Sequence, residues 1–267
     1  MKKSILILAL ILSNFSFSQT AIEYYNSAVN KGKELDYQGS LEDYNKSINL
    51  DNTDKDAFYG RAWTKAEIGD HQGAIQDYNA VIKFDPSHVD AFYARGLSKK
   101  ATEDVKGALA DFTKVIELNP SYTNAYYYRA LMKEILKDFS GAISDFDKAI
   151  ELDKNDALNY FYRGYLKENQ KDYKGALSDY SKALEINPQY DAAFYNRAVT
   201  KGYLLDYKGA IEDYNKSLEL NPEDGYAYYG RGYAKEKLGD KNGACIDFNL
   251  ALGLGYAKAQ DAVTNCR

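Results

Sequence analysis

GAIEDYNKSLELNP, at 209–222, is a phrase that the chain repeats. It stands as GAIQDYNAVIKFDP at 73–86, GALADFTKVIELNP at 107–120 and GALSDYSKALEINP at 175–188. Looser copies are GSLEDYNKSINLDN at 39–52, GAISDFDKAIELDK at 141–154 and GACIDFNLALGLGY at 243–256. The interval is 34 residues throughout, and a fixed period of that size marks a repeat architecture. Each unit in such an array contacts mainly its neighbours, so the 267 residues are expected to form one elongated solenoid.

Each unit reads as two helices. In the second, Gly73–Phe84 places Ile75, Tyr78, Ile82 and Phe84 at helical spacing, and Asp85-Pro86 closes it because proline cannot continue a helix. An Asp precedes every copy by three residues: Asp36, Asp70, Asp104, Asp138, Asp172, Asp206 and Asp240. Its carboxylate suits the free amides of the first helical turn. The glycine that opens each copy costs about 1 kcal/mol against alanine, and close approach of a neighbouring aromatic is the expected reason. The first helix is carried by DAFYGRAWTKAEIG (56–69), DAFYARGLSKKATE (90–103) and NAYYYRALMKEILK (124–137), each opening on an aromatic pair. Four residues past the first aromatic stands a small residue (Ala62, Gly96, Ala130, Gly164, Ala198, Gly232), which lets two helices approach closely.

An aromatic, Gly or Ala four residues on, Asp-aromatic and Ala in the second helix, and a closing Pro over 34 residues resemble the tetratricopeptide repeat. The resemblance covers 21–258, as seven units starting at 21, 55, 89, 123, 157, 191 and 225. It implies an all-α, right-handed superhelical solenoid of helix-turn-helix repeats, followed by a short C-terminal cap at 259–267. Asn52, Lys154 and Tyr256 replace the expected proline, so those helix ends are expected to run on or fray. The first unit departs again at Ser27, where later units carry Arg.

Three charged columns recur in phase. One is Arg61, Arg95, Arg129, Arg163, Arg197 and Arg231; the second is Asp43, Asp77, Asp111, Asp145, Asp179, Asp213 and Asp247; the third runs from Lys31 to Lys235. Arg and Lys four apart on one helix face repel unless an anion lies between them. Each Arg is therefore expected to pair with the Asp of its own or the preceding second helix. A basic stripe for an anionic ligand is the alternative.

A further stripe, the second aromatic of each first helix and the residue four later, lies off the packing face: Tyr25/Val29, Tyr59/Trp63, Tyr93/Leu97, Tyr127/Leu131, Phe161/Tyr165, Tyr195/Val199 and Tyr229/Tyr233. The family resemblance implies that this stripe lines the concave surface where peptides or partner helices bind. The Lys/Asn pattern that clamps a C-terminal carboxylate in some members is missing from these columns. Aromatic stacking with Tyr hydroxyls as polar handles is expected instead; alternatively the rings fill seams between adjacent first helices. The expected function is a non-catalytic protein-interaction scaffold. The second reading is a carbohydrate or envelope-polymer binder, suggested by the 26 tyrosines.

The N-terminus MKKSILILALILSNFSFSQT has two lysines, a short apolar run and small residues at Ser16 and Ser18, the pattern of a signal peptide over 1–18 cleaved between Ser18 and Gln19. An uncleaved anchor is the alternative. The expected location is exported, periplasmic or secreted, in a bacterium, with no transmembrane segment in the mature chain. Net charge is −5 at pH 7 and falls further when the leader's lysines go, which disfavours nucleic acid. Folding back at Gly255 would bring Cys245 to Cys266, and export permits a disulfide. A buried Cys245 with a free Cys266 fits the same placement. His71 and His88 are placed in inter-helix turns and neither recurs in phase. With no metal, phosphate or nucleophile motif, no cofactor and no enzymatic activity are expected.

Overall fold

A computed structural model of the protein describes residues 20–266, so the leader and its cleavage site lie outside the described residues. Two compact units divide at Lys137/Asp138. The first holds α1 (20–33), α2 (Tyr37–Leu50), α3 (Lys55–Glu67), α4 (His71–Phe84), α5 (Val89–Ala101), α6 (Val105–Leu118) and α7 (Thr123–Ile135). The second holds α8 (Phe139–Leu152), α9 (Ala157–Asn169), α10 (Tyr173–Ile186), α11 (Asp191–Tyr203), α12 (Tyr207–Leu220), α13 (Gly225–Lys237), α14 (Lys241–Gly253) and the short α15 (Ala259–Thr264). Every described element is helical, and paired helices follow one another in tandem.

Each second helix starts two residues before its glycine, directly after the Asp. All seven Asp residues accept from the glycine amide three residues on, as Asp70 Oδ1 does from Gly73 at 2.9 Å. This corrects the expected reason for the glycines. A Cβ at Gly73 would fall on the Asp70 carboxylate, so the capping side chain excludes it, and no aromatic is involved.

The helices that lack the closing proline neither run on nor fray. α2 and α8 end at Leu50 and Leu152, in register with α4 and α6, which precede Pro86 and Pro120. Their C-cap residues are extended, and Asp51 and Asp153 fold back to accept from the amides of Thr53 and Asn155 at 2.9 Å each. Asp85, before Pro86, makes the same turn with Ser87, so the Asx turn stops the helix with or without proline. α14 ends instead at Gly253, with Gly255 at φ +87.

The core is a succession of small clusters along each unit. Ala62, Ala74, Tyr78, Val81 and Ala91 form one in the first unit; Ala198, Ala210, Tyr214, Leu218, Ala227 and Ala234 form its counterpart in the second. The small-residue column does what its spacing requires: Gly96 and Gly232 lie against the rings of Phe112 and Phe248, where a Cβ would press into them. At the C-terminal end α15 lays Val263 against Ala244 and Phe248. Cys245 and Cys266 lie at disulfide distance, Cα atoms 5.7 Å apart.

Candidate functional site

The charged columns assemble into a repeated triad. Arg61 donates to Asp77 through Nε (2.8 Å) and Nη2 (2.7 Å), and Lys65 Nζ reaches the same carboxylate at 2.8 Å. Arg95–Asp111–Lys99, Arg163–Asp179–Lys167, Arg197–Asp213–Lys201 and Arg231–Asp247–Lys235 repeat it. In these five, Nη1 donates to a residue of the preceding second helix: Asn45, Asn79, Asp147, Ser181 and Asn215. The guanidinium also lies over the first aromatic, as Arg95 does over Phe92 at 5.2 Å. Each such Arg therefore fastens its own second helix and the one before, with all three guanidinium nitrogens engaged. Arg129 lies over Tyr126 at 5.5 Å; Asp145 is buried, and neither is without a partner. In the first hairpin Ser27 takes the Arg position and donates to Asp43 at 2.7 Å, with Lys31 and Lys46 on the same carboxylate. Burial pushes Asp43 up, and the hydrogen bonds from Lys31, Ser27 and Lys46 outweigh it, holding its pKa at about 2.

The aromatic stripe divides into two sets. In six hairpins the second aromatic of the first helix meets the ring of its own second helix: Tyr25–Tyr44 (6.0 Å), Tyr59–Tyr78 (5.7 Å), Tyr93–Phe112 (5.9 Å), Phe161–Tyr180 (5.8 Å), Tyr195–Tyr214 (5.9 Å) and Tyr229–Phe248 (5.5 Å). Tyr127 sits edge-on to Tyr128 at 5.1 Å. These rings are half-buried in the hairpin seam. Of the residues four later, Trp63, Tyr165 and Tyr233 are exposed, whereas Leu97 and Leu131 pack on Phe112 and Met132.

A column that the sequence reading passed over decides where the face is open. It is the residue after the aromatic pair. Where the preceding second-helix ring is Phe, this column supplies a Tyr that lies flat upon it: Tyr128 on Phe112 (5.5 Å, 19°) and Tyr162 on Phe146 (6.0 Å, 7°). Where that ring is Tyr44 or Tyr214, the column is Gly60 or Gly230, and a Cβ would fall on the phenol. Tyr78 and Tyr180 meet Ala94 and Asn196 in this column, so it is the pairing of a Tyr ring with a glycine, at Gly60 and Gly230, that leaves an opening.

Both openings are cavities. In the first unit Tyr25, Tyr44, Asp56, Tyr59, Gly60 and Trp63 surround about 410 Å³. In the second unit a cavity of about 530 Å³ is walled by Tyr195, Val199, Tyr203, Tyr207, Tyr214, Tyr226, Tyr229 and Tyr233, with Ala198, Gly202, Leu205, Ala210, Gly230 and Ala234 completing it. Burial, then the neighbouring Asp224, raises the Tyr195 phenol to about 12, so its hydroxyl stays protonated at neutral pH. Three hydroxyl-bearing rings of the cavity, Tyr203, Tyr226 and Tyr233, face solvent. Such a surface offers ring faces and hydrogen-bonding hydroxyls; among the described residues, no cluster of three His, Cys, Asp or Glu could hold a metal ion. His88, expected in a turn, is the N-cap of α5: its Nδ1 accepts from the Ala91 amide and its ring stacks on Tyr59.

Paired helices at this period, small-residue crossings and a ring-lined face agree with what sequence models find. Models described as "TPR repeat" match 64–102 and 206–239, and models described as "Tetratricopeptide repeat" match 93–157, 157–190 and 225–254. The chain belongs to the tetratricopeptide-repeat family. This is a family of non-catalytic scaffolds. Comparison with curated proteins finds no match. Among solved structures, the C-terminal part of a TPR repeat-containing protein from Cytophaga hutchinsonii is 19% identical, covering 89% of this chain and 98% of its own, with a TM-score of 0.76. A tetratricopeptide repeat protein from Parabacteroides merdae is 17% identical, covers 93% and 99%, and has a TM-score of 0.68. YrrB, described as "a TPR protein with an unusual peptide-binding site", is 24% identical over 72% of this chain and 97% of its own, with a TM-score of 0.62. At these identities the likeness is one of fold.

Proposed function

We propose that the protein is a binding scaffold that holds an extended peptide or a partner helix along the ring-lined face of its first helices, outside the cytoplasm. The observation that carries this reading is the open cavity at Tyr195, Val199, Tyr229 and Tyr233, four residues named from the sequence stripe alone. It is concave, ring-lined and wide enough for side chains, which is the character of a recognition pocket. The triads account for the charged columns as internal fasteners, so recognition falls to the rings. Family membership supports a protein or peptide partner. Export is supported by the leader-like N-terminus and by the cysteine pair at the C-terminal end. No helix among the described residues is long and apolar enough to cross a membrane.

A photo-crosslinking residue at position 233, compared with one at the exposed Lys182 of α10, tests the reading in cells. Discrete protein adducts at 233 that are absent at 182 are expected. Equal labelling at both positions, or adducts with glycan and none with protein, would overturn it.

A further inference from the structure

We propose that the cavity between Tyr195 and Tyr233 receives a cationic side chain, arginine or lysine, of the bound peptide. The inference rests on the scaffold reading and adds a chemical class to its ligand.

The cavity walls carry no charged side chain. Two carboxylates stand behind them, and neither makes an ion pair among the described residues. Glu168 Oε2 accepts from Thr200 Oγ1 at 2.8 Å and from Tyr180 Oη at 3.0 Å, and Thr200 adjoins Val199 of the wall. Asp224 caps α13, accepting from the amides of Tyr226 and Ala227, so its carboxylate is pinned at the foot of the wall residue Tyr226. Both are close enough to disfavour ionisation of Tyr195 and Tyr214 alike, which places their field inside the cavity. In the five triads the buried carboxylate is matched by both an Arg and a Lys. Here neither carboxylate is ion-paired, and ring faces surround the space beside them.

Aromatic faces with nearby carboxylates form the setting in which an ammonium or guanidinium is held by cation–π attraction and charge together. One wall ring already shows the preference: Lys237 Nζ lies 4.9 Å from the Tyr233 centroid. The sequence also keeps the space clear. Gly202 occupies the column that holds Lys100, Glu134, Glu168 and Glu236 in other units, and a Cβ there would meet nothing within 4 Å. At the rim, Leu205 adopts φ +64 while 72% exposed, a left-handed, solvent-facing leucine that contributes little to any core. It offers an apolar contact for the stem of a long cationic side chain.

The test uses the full mature chain and acetylated, amidated degenerate hexapeptide pools with one fixed central residue: arginine, lysine, citrulline or glutamate. Binding is compared for wild type, Gly202→Leu and Glu168→Gln, with circular dichroism confirming that each is folded. Gly202→Leu puts a side chain into open space on a helix, so it fills the cavity without disturbing the fold. Wild type is expected to retain the arginine and lysine pools about tenfold over citrulline and glutamate, a cation–π and charge effect of ordinary size. Gly202→Leu should abolish that preference and Glu168→Gln should reduce it. Retention of all pools alike, or a cationic preference untouched by Gly202→Leu, overturns the inference and leaves peptide binding standing. Failure of every pool to bind removes the scaffold reading itself, and this inference with it.

Discussion

Asp111→Ala tests the repeated triad where its geometry is complete. Asp111 is 3% exposed and accepts from Arg95 Nε at 2.9 Å, from Arg95 Nη2 at 2.5 Å and from Lys99 Nζ at 2.9 Å. Alanine removes all three charge-assisted bonds and leaves two cations four residues apart on one helix face. Deleting one partner of a buried pair costs about 3–5 kcal/mol. The Arg95 and Lys99 side chains are 15% and 17% exposed, so water recovers part of the loss. The lower end, about 3 kcal/mol, is expected. Arg95→Met should cost only about 1–2 kcal/mol, because Lys99 still neutralises the carboxylate. Repeat arrays open locally, so a single global unfolding energy is a blunt instrument here. Native-state hydrogen exchange of the α5 and α6 amides reads the effect where it occurs, and 3 kcal/mol corresponds to roughly a hundredfold faster exchange. Protection in Asp111→Ala within threefold of wild type would refute the triad as a fastener.

Three further outcomes follow from the same structure. Asp70→Ala should cost about 1 kcal/mol; adding Gly73→Ala should then return about 1 kcal/mol through helix propensity, while Gly73→Ala alone should not stabilise, because its methyl collides with the cap. Additive effects in urea titrations of the two single variants and the double would contradict the cap as the reason for the glycine. Burial raises the Glu168 pKa against the opposing hydrogen bonds from Thr200 and Tyr180, so the folded chain disfavours its charged form. Glu168→Gln should therefore stabilise at pH 7. The folded-state pKa lies above the unfolded one, so the wild type gains stability as pH falls through the folded value, and the gap should close by about pH 4; a gap that widens on acidification would contradict this. Cys266→Ser should lower the stability of the α14–α15 end by about 3 kcal/mol, the loop entropy of a 21-residue separation, and the denatured, unreduced wild type should show no free thiol on titration.

Much of the fold was legible because the period repeats each cue seven times. Gly73, Asp70 and Tyr78 recur in phase, so a chance pattern at one unit is corrected by the next. What single columns do against one another was less visible. The glycine before Ala74 read as a packing residue because a cap and a close ring contact both favour the absence of a Cβ, and only the coordinates separate them. Asp51 and Asp153 stop their helices by side-chain turns that look like any acidic residue in a string. The aromatic stripe was half legible. Tyr195 and Tyr229 both line the cavity, and their inner ring edges belong to the hairpin seam. The cavity itself depends on Gly202 and Gly230, which matter for the side chains they lack. The departure of Gly60 and Gly230 from Tyr128 and Tyr162 in the same column is the signal in the sequence that points to it.

The claim that recognition falls to the ring-lined cavity of the second unit is met most directly by NMR of protein carrying selectively labelled tyrosine rings, titrated with the arginine-centred peptide pool. Resonances of Tyr195, Tyr203, Tyr226, Tyr229 and Tyr233 should shift together and saturate, while Tyr24 and Tyr126 stay still. Shifts spread evenly over tyrosines on all faces, or confined to rings outside the cavity, would contradict it.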